Sequence, residues 1–195
     1  MSSIIHGMGH SREEKARSHE RIVETAAARL RESGTAGPGV AELMKAAGLT
    51  HGGFYKHFDS RDDLVAEAVD AAIEQGIEGT REATADAEDP LAAFVDWYLS
   101  TAHREDPGTG CSVVALGADV ARADDRVRAA YRGQVERYIA NMEGLLDGDE
   151  DTRRRAIAAV ASMVGAMLIS RAVDDESLSD EILREVRATV EAEGG

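Results

Sequence analysis

Apolar residues recur every three or four positions along most of the chain, the spacing that places side chains on one face of an α-helix. The first clear stripe comprises Ile22, Val23, Ala26, Ala27 and Leu30. No segment carries a credible strand pattern, and only three prolines interrupt the 195 residues. The pattern therefore predicts an all-α fold of about nine helices.

Polar residues indicate where the first helix begins. Ser11 followed by Glu14 has the form of a capping box, in which each side chain binds a backbone N–H group at the helix start. We therefore expect this helix over residues 11–33 and a flexible arm over residues 1–10.

Later helices carry similar signals at their ends. Ser60 with Asp63 is a variant of the capping box, and the helix that it opens is expected to fade near residues 76–79, at two glycines. The last helix is expected to be capped by Ser177 or Ser179.

Charge divides the chain into two unlike parts. The net charge of −15 by itself argues against nucleic acid as a partner. Residues 1–60, however, hold eight Lys/Arg, seven Asp/Glu and five of the six histidines, whereas residues 61–195 hold 14 Lys/Arg and 30 Asp/Glu. A near-neutral head on an acidic body suggests separate tasks, although a solvated acidic surface explains the body equally well.

Cysteine count and hydropathy bear on the compartment. One cysteine cannot form an internal disulfide. No stretch approaches the roughly 18 consecutive apolar residues of a membrane span, and no secretory signal is evident. We expect a cytoplasmic protein without a membrane partner.

The segment 40–58 carries the strongest functional signal. A short helix stops at Gly48, and Thr50 caps a second helix whose first turn holds Gly52 and Gly53. Two short helices joined by a three-residue turn form a helix-turn-helix, whose second helix can enter a DNA major groove. Glycines there let the backbone approach DNA closely, at a cost of about 1 kcal/mol each relative to Ala. Spacing alone leaves an ordinary α-hairpin equally open.

The literal residues around this turn resemble the TetR family of bacterial transcriptional repressors. The family has a G-[VLI]-[ST] turn, a recognition helix ending in Y-x-H-F and S-[KR]-x-x-L opening the next helix. This chain has GLT at 48–50, YKHF at 55–58 and SRDDL at 60–64. One departure precedes the second helix, where Thr35 and Gly39 replace an aromatic residue and a capping Ser or Thr. It removes one usual phosphate contact.

The resemblance covers roughly residues 20–65 and implies a DNA-binding regulator rather than an enzyme. It implies a three-helix DNA-binding domain over residues 11–65 and a helical domain over residues 66–195 that dimerises and binds a small-molecule inducer. Such a homodimer represses transcription from a palindromic operator and is released by its inducer. No cofactor is expected.

The resemblance also assigns roles to single residues. Phe54 and Phe58 match core positions, and Arg12, Lys15 and Arg17 could reach the adjacent DNA backbone from the first helix. The residues expected to contact DNA are Thr50, His51, Gly52, Gly53, Tyr55, Lys56, His57 and Arg61.

The body carries candidates for a ligand pocket and a dimer interface. Aromatic and Met side chains on several helices could line an apolar pocket, although each alone is more often core. Small residues on the penultimate helix and apolar residues on the last helix are typical of half a four-helix interface, with internal packing as the alternative. The predicted pocket residues are Phe94, Trp97, Tyr98, Tyr138, Met142, Met163 and Met167. The predicted interface residues are Ala158, Ser162, Gly165, Ala166, Ile169, Ile182 and Val186.

Cys111 follows a glycine-rich turn at an expected helix start, where a thiol can be activated. Some members of the resembled family sense oxidants through a cysteine in a similar Gly-Cys context, so a thiol-sensing repressor is an alternative function. The simpler interpretation of Cys111 is a small, buried apolar residue without a chemical role. A small helical enzyme with Cys111 as nucleophile and His103 as base is the least supported. His6 and His10 stand four apart without a third ligand, so no metal site is expected.

Overall fold

The computed structural model describes residues 4–34, 37–146 and 148–194. Over these residues the chain forms nine α-helices and one 3₁₀ helix and no strand, which confirms the all-α prediction. The helices are α1 (Ile4–Ser33), α2 (Val40–Ala46), the 3₁₀ helix (His51–Lys56), α3 (Arg61–Thr84), α4 (Pro90–Tyr98), α5 (Thr101–Glu105), α6 (Ser112–Val120), α7 (Asp125–Leu145), α8 (Thr152–Ala172) and α9 (Glu176–Gly194).

Two apolar cores hold the helices together. The first lies among α1, α2, the 3₁₀ helix and α3, where Ile22, Leu43 and Phe54 are almost fully buried. Leu116 and Val120 of α6 belong to this same core. The second core lies among α4, α6, α7, α8 and α9. Because α6 contributes to both cores, the N-terminal helices are packed onto the body rather than tethered to it.

The first helix begins earlier than predicted. α1 starts at Ile4 and runs through Ser11, so residues 4–10 of the expected arm are helical and the capping box at Ser11 does not open the helix. No proline stands in this stretch to stop a helix. Residues 1–3 of the expected arm and Thr35 lie outside the described residues.

The third α-helix is longer than predicted because its glycines have a packing role. α3 continues through Gly76 and Gly79 to Thr84. A Cβ built on Gly76 would lie 2.8 Å from the Tyr138 hydroxyl oxygen, and one on Gly79 would lie 2.9 Å from the Trp97 ring. These glycines therefore make room for aromatic side chains instead of ending the helix.

Helix caps are confirmed in one place and corrected in another. Ser60 caps α3 as predicted, since its hydroxyl oxygen accepts the Asp63 N–H at 3.1 Å. α9 is capped by neither predicted serine: Asp175 accepts the Leu178 N–H at 2.9 Å. Ser179 is instead buried and donates to the Ser170 carbonyl oxygen at 2.9 Å, which ties α9 to α8. The short helix α5 was not predicted.

Within the described ranges, α8 is long and apolar enough to cross a membrane, judged by length and composition only. Its mean hydropathy is 1.4 over the most apolar 18 residues, and 33% of that window is buried inside the protein. A core helix passes the same test, and α8 packs against both α7 and α9.

Candidate nucleic-acid interface and ligand cavity

The turn between α2 and the 3₁₀ helix is a Schellman motif. Gly48 has φ +72°, in the left-handed region that favours glycine. The Leu49 N–H donates to the Met44 carbonyl oxygen at 2.8 Å, and the Gly48 N–H donates to that of Lys45 at 3.0 Å. These bonds satisfy the carbonyl groups at the end of α2 and set the angle at which the next helix leaves.

The second helix of the motif is a 3₁₀ helix over His51–Lys56 rather than an α-helix. Thr50 is its N-cap residue, as predicted, but among the described residues no backbone N–H donates to the Thr50 side chain. Two glycines in the first turn weaken an α-helix by about 1 kcal/mol each relative to Ala. Without the side-chain cap, the tighter and shorter 3₁₀ form results.

The 3₁₀ helix separates core residues from outward residues. Phe54 and Phe58 are buried, which confirms their predicted core positions. Tyr55 is 72% exposed, and His51 and Lys56 are exposed as well. The outer face thus carries a hydroxyl, an imidazole and an ammonium group.

Neither glycine of the 3₁₀ helix is required by internal packing. A Cβ built on Gly52 would meet nothing within 4 Å among the described residues, and one on Gly53 would lie 3.6 Å from Met44, an ordinary contact. The missing side chains therefore leave open a surface that faces outward.

His57 and Arg61 lie partly inside the head. The His57 Nδ1 atom is buried and has no hydrogen-bond partner in the described part of the chain. Burial lowers the pKa of His57 below its ordinary value, so the ring is neutral near pH 7. Arg61 donates to the Pro38 carbonyl oxygen at 3.1 Å, which ties α3 to the loop before α2. Lys15 and Lys56 line a shallow depression beside His57.

The cations of α1 face outward beside this surface. Arg12, Lys15 and Arg17 are all exposed. Arg17 lies 3.6 Å from Glu13, one turn earlier on α1. Both side chains are exposed, so Arg17 can exchange Glu13 for another anion at little cost.

A cavity of about 490 Å³ lies between the head and the body. Its walls come from α1 of the head and, in the body, from α3, α4, α7 and residues 103–111. Three of the predicted pocket residues, Trp97, Tyr98 and Tyr138, line it. The other polar side chains of its lining are Glu24, Arg31, Gln75, Glu78, Glu82, His103, Thr109 and Cys111.

The other four predicted pocket residues lie outside this cavity. Phe94 and Met163 line a separate space of about 10 Å³, too small for a ligand. Met142 and Met167 are fully buried in the second core, where α7 and α8 pack together. Their side chains serve packing instead.

Arg31, the buried cation among the described residues of the cavity wall, was not predicted from the sequence. Arg31 is 5% exposed; its Nε donates to the Gly108 carbonyl oxygen at 2.6 Å and its Nη2 to Gln75 Oε1 at 2.9 Å. Its Nη1 is buried without a hydrogen-bond partner among the described residues. No local pattern distinguishes Arg31 from the exposed Arg29 on the same helix, so only the tertiary structure reveals it.

His103 is held by two backbone groups. Its Nδ1 lies 2.6 Å from the Tyr98 carbonyl oxygen and so carries the proton, while its Nε2 accepts the Cys111 backbone N–H at 3.0 Å. Burial lowers the pKa of His103, which favours this neutral form. The Nε2 lone pair is therefore not available to the Cys111 thiol, which argues against the Cys–His enzyme.

The Cys111 thiol lies near two tyrosine hydroxyls at the cavity wall. Burial raises the pKa of both Tyr98 and Tyr138, and the neighbouring Cys111 raises them further. The Tyr98 hydroxyl is buried, and its neighbour among the described residues is the Cys111 sulfur, a weak hydrogen-bond partner. The deep wall of the cavity thus carries neutral donors beside the Arg31 cation.

α8 and α9 expose several large apolar side chains. Ile157, Leu168 and Ile169 on α8 are 46%, 52% and 48% exposed, and Leu178 on α9 is 43% exposed. A Cβ on Gly165 would meet nothing within 4 Å in the described part of the protomer. Large apolar side chains grouped on one face are typical of an interaction surface.

The predicted interface residues fall into three groups by exposure. Ala158, Ser162 and Ile169 are exposed, whereas Gly165, Ile182 and Val186 are half-buried. Ala166 is buried in the second core and so packs inside the protomer.

Both the sequence and the fold are similar to known proteins. Residues 22–68 match the family model described as bacterial regulatory proteins, tetR family. The uncharacterized HTH-type transcriptional regulator Rv0196 of Mycobacterium tuberculosis is 28% identical over 184 residues, which cover 89% of this chain and 94% of the relative. A TetR transcriptional regulator from Chloroflexus aurantiacus has a TM-score of 0.79 at 24% identity and covers 92% of this chain and 96% of its own. The reduced form of E. coli NemR has a TM-score of 0.76 at 22% identity, with coverages of 90% and 96%.

A helix-turn-helix head on an all-helical body defines this chain as a DNA-binding transcriptional regulator. The segment matched by the family model contains the Schellman turn and the 3₁₀ helix. Over residues 22–68 the chain is similar to the TetR family of bacterial regulatory proteins, and a regulator of the helix-turn-helix type is similar to it over most of its length.

Proposed function

We propose that the chain is a homodimeric repressor that binds a palindromic operator and is released by a small molecule. The observation that carries the proposal is the outer surface of the 3₁₀ helix, where two glycines that packing does not need lie beside exposed Tyr55 and Lys56. Exposed backbone N–H groups at a helix N-terminus are suited to phosphate. The acidic body repels DNA, so contact is confined to the head.

The proposed DNA contacts divide into base and phosphate contacts. His51 has the only long side chain in the first turn of the 3₁₀ helix and is proposed to contact a base edge. Tyr55 and Lys56 are proposed to hold phosphates, which set the position of the head without specifying sequence. Thr50, Gly52, Gly53, His57 and Arg61 complete the proposed interface.

The exposed apolar face of α8 and α9 supports a homodimer. A second copy related by two-fold symmetry would bury Leu168, Ile169 and Leu178 against their own counterparts. The open space at Gly165 lets the helices of the two protomers approach closely. Ile169→Glu should therefore convert the dimer to a monomer in sedimentation equilibrium, whereas Glu181→Gln, at another exposed position, should not.

The cavity supports release by a ligand. We propose residues 11–65 as the DNA-binding domain and residues 66–195 as the ligand-binding and dimerisation domain of a cytoplasmic protein. α1 and the body line opposite walls of the cavity, so a ligand binds best in one relative position of the two. A ligand and an operator that prefer different positions lower each other's affinity.

A thiol-sensing repressor is a second candidate because Cys111 lies in the wall of the same cavity. Hydrogen peroxide would oxidise the thiol to a sulfenic acid and change the cavity wall. The Cys111→Ser variant separates the candidates: it should keep operator binding and ligand release, and lose any response to hydrogen peroxide.

Selection from a random duplex library at low salt, followed by fluorescence anisotropy, tests the main proposal. The enriched duplex should be a palindrome with half-sites about 34–36 Å apart, one helical turn. His51→Ala should weaken its binding by about 1–3 kcal/mol and relax one base preference, and Lys56→Ala should weaken all duplexes alike. Arg132→Ala removes a charge from an exposed position on α7 and is the control. Failure to enrich any duplex would refute the proposal.

A further inference from the structure

We propose that the cavity between the head and the body binds a monoanionic carboxylate, whose charge pairs with Arg31 and whose apolar part lies against Trp97. The proposal names the chemical class of the inducer and rests on the proposed function for its regulatory meaning. The binding itself does not require DNA.

Arg31 is prepared for an anion that the described residues do not supply. Its Nε and Nη2 are held by the Gly108 carbonyl oxygen and by Gln75, while the buried Nη1 has no hydrogen-bond partner among them. No carboxylate oxygen of the described residues lies within 4 Å of the guanidinium. Asp106 and Glu32 attract the guanidinium only by longer-range Coulomb interaction. A buried charge without a paired anion is costly, and an anionic ligand removes that cost.

The charges around the cavity favour a ligand with a single negative charge. Among the described residues of its lining, Arg31 is the one buried cation, and the hydroxyls of Tyr98 and Tyr138 are neutral because burial raises the pKa of both. His103 also lines it but is neutral and bonded to the backbone through both ring nitrogens. Three exposed carboxylates, Glu24, Glu78 and Glu82, also line the cavity. They repel an anion in proportion to its charge, so a polyanion is disfavoured more strongly than a single carboxylate, which Arg31 alone can pair.

The remaining walls suit an apolar group. Trp97, Tyr98 and Tyr138 present aromatic surface, and Gly76 and Gly79 let α3 approach Tyr138 and Trp97 closely. The Tyr98 hydroxyl is buried beside the Cys111 sulfur, a weak hydrogen-bond acceptor, and can donate to the second carboxylate oxygen instead. A volume of about 490 Å³ accommodates a small molecule of this kind.

The position of Arg31 gives such a ligand a route to the DNA-binding surface. Arg31 lies in the last turn of α1, whose earlier residues pack in the core of the head with Phe54. Gly108 and Trp97 belong to the body. A ligand whose carboxylate pairs with Arg31 and whose apolar part packs against Trp97 therefore links α1 to the body. Its affinity then depends on the position of the head.

Trp97 allows a direct binding test because it is the only tryptophan and lines the cavity. Tryptophan fluorescence is titrated with phenylacetate and 4-phenylbutyrate, with their neutral amides, and with the dianion phenylphosphonate, all without DNA. We expect saturable changes with the carboxylates and affinities about 10- to 100-fold weaker for the amides, the difference that a charge-assisted hydrogen bond provides. Phenylphosphonate should bind more weakly than phenylacetate.

Variants assign the preference to Arg31. Arg31→Gln should bind each carboxylate no better than its amide, while Arg31→Lys should keep part of the preference. Arg29→Gln makes the same change at an exposed position of α1 and should behave as the parent protein. Tyr98→Phe keeps the charge and should weaken carboxylates several-fold, which tests the site even if Arg31→Gln fails to fold.

Equal binding of carboxylates and amides by the parent protein would overturn the proposal. So would a preference for carboxylates over amides that is retained in folded Arg31→Gln. The absence of any saturable fluorescence change with carboxylates up to about 10 mM would also overturn it, because even small fragments bind a formed site more tightly than that. Failure to bind DNA would refute the proposed function and leave these titrations unaffected.

Discussion

Replacing Gly52 by alanine should stabilise the protein and weaken its binding to DNA at the same time. Gly52 lies in the first turn of the 3₁₀ helix and does not have a positive φ, so alanine fits its backbone conformation. A Cβ at this position meets nothing within 4 Å among the described residues. The substitution therefore has no packing cost within the protomer.

Both magnitudes follow from this geometry. Loss of glycine's freedom in the unfolded chain should raise the free energy of unfolding by about 0.4–1 kcal/mol. For a chain of this length that corresponds to a rise in Tm of roughly 1–4 °C. The same methyl group projects from the proposed DNA surface, where it holds a backbone N–H away from its phosphate. Loss of one charge-assisted hydrogen bond of about 1.5–3 kcal/mol reduces operator affinity roughly 10- to 100-fold.

Thermal unfolding and fluorescence anisotropy measure the two effects on the same samples. Gly133→Ala is the matched control, because Gly133 lies inside α7 of the body and a Cβ there also meets nothing within 4 Å in the described structure. It should raise Tm similarly and leave operator affinity unchanged. Equal operator affinity of Gly52→Ala and Gly133→Ala would refute the proposed close contact between Gly52 and DNA.

Three further substitutions test the turn, a cap and a half-buried histidine. Gly48→Ala places a side chain at φ +72° and should destabilise the protein by about 1–2 kcal/mol in urea unfolding, against no loss for Gly133→Ala. Ser60→Ala removes the N-cap of α3 and should cost about 1 kcal/mol by the same measurement, while Ser60→Thr retains most of it. His103 has a lowered pKa in the fold, so the unfolded state takes up its proton first as the pH falls. The stability that the neutral His103 contributes above its ordinary pKa of 6.5 should be lost below it. His103→Asn should therefore make the free energy of unfolding less dependent on pH between about pH 7.5 and 5.5. An unchanged dependence of the unfolding free energy on pH would contradict this contribution of His103.

Local sequence patterns predicted the parts of the fold that local interactions control. Helical periodicity predicted nine helical segments, and the spacing of Phe54 and Phe58 placed both in the core, as the structure confirms. Ser60 capped α3 because a hydroxyl bond to an N–H three residues later needs only neighbouring residues. The GLT and YKHF motifs pointed to the family for a similar reason, since the turn and its helix are contiguous in sequence.

Predictions failed where distant residues decide. The glycines of α3 suggested a helix end, yet they accommodate Trp97 and Tyr138 from other helices. Met142 and Met167 were predicted to line the pocket but lie in the second core. A methionine looks the same in the sequence whether it lines a pocket or fills a core, and only helix packing distinguishes the two environments.

What the sequence by itself determined is therefore the all-helical class, the helix-turn-helix and the outward face of the recognition helix, because each depends on residues a few positions apart. The tertiary structure alone decided the cavity and its charge. Arg31, Gly108 and Trp97 are far apart in the sequence and meet only when α1 packs against the body. A buried cation is distinguished from an exposed one by its surroundings, and those surroundings exist only once the chain has folded.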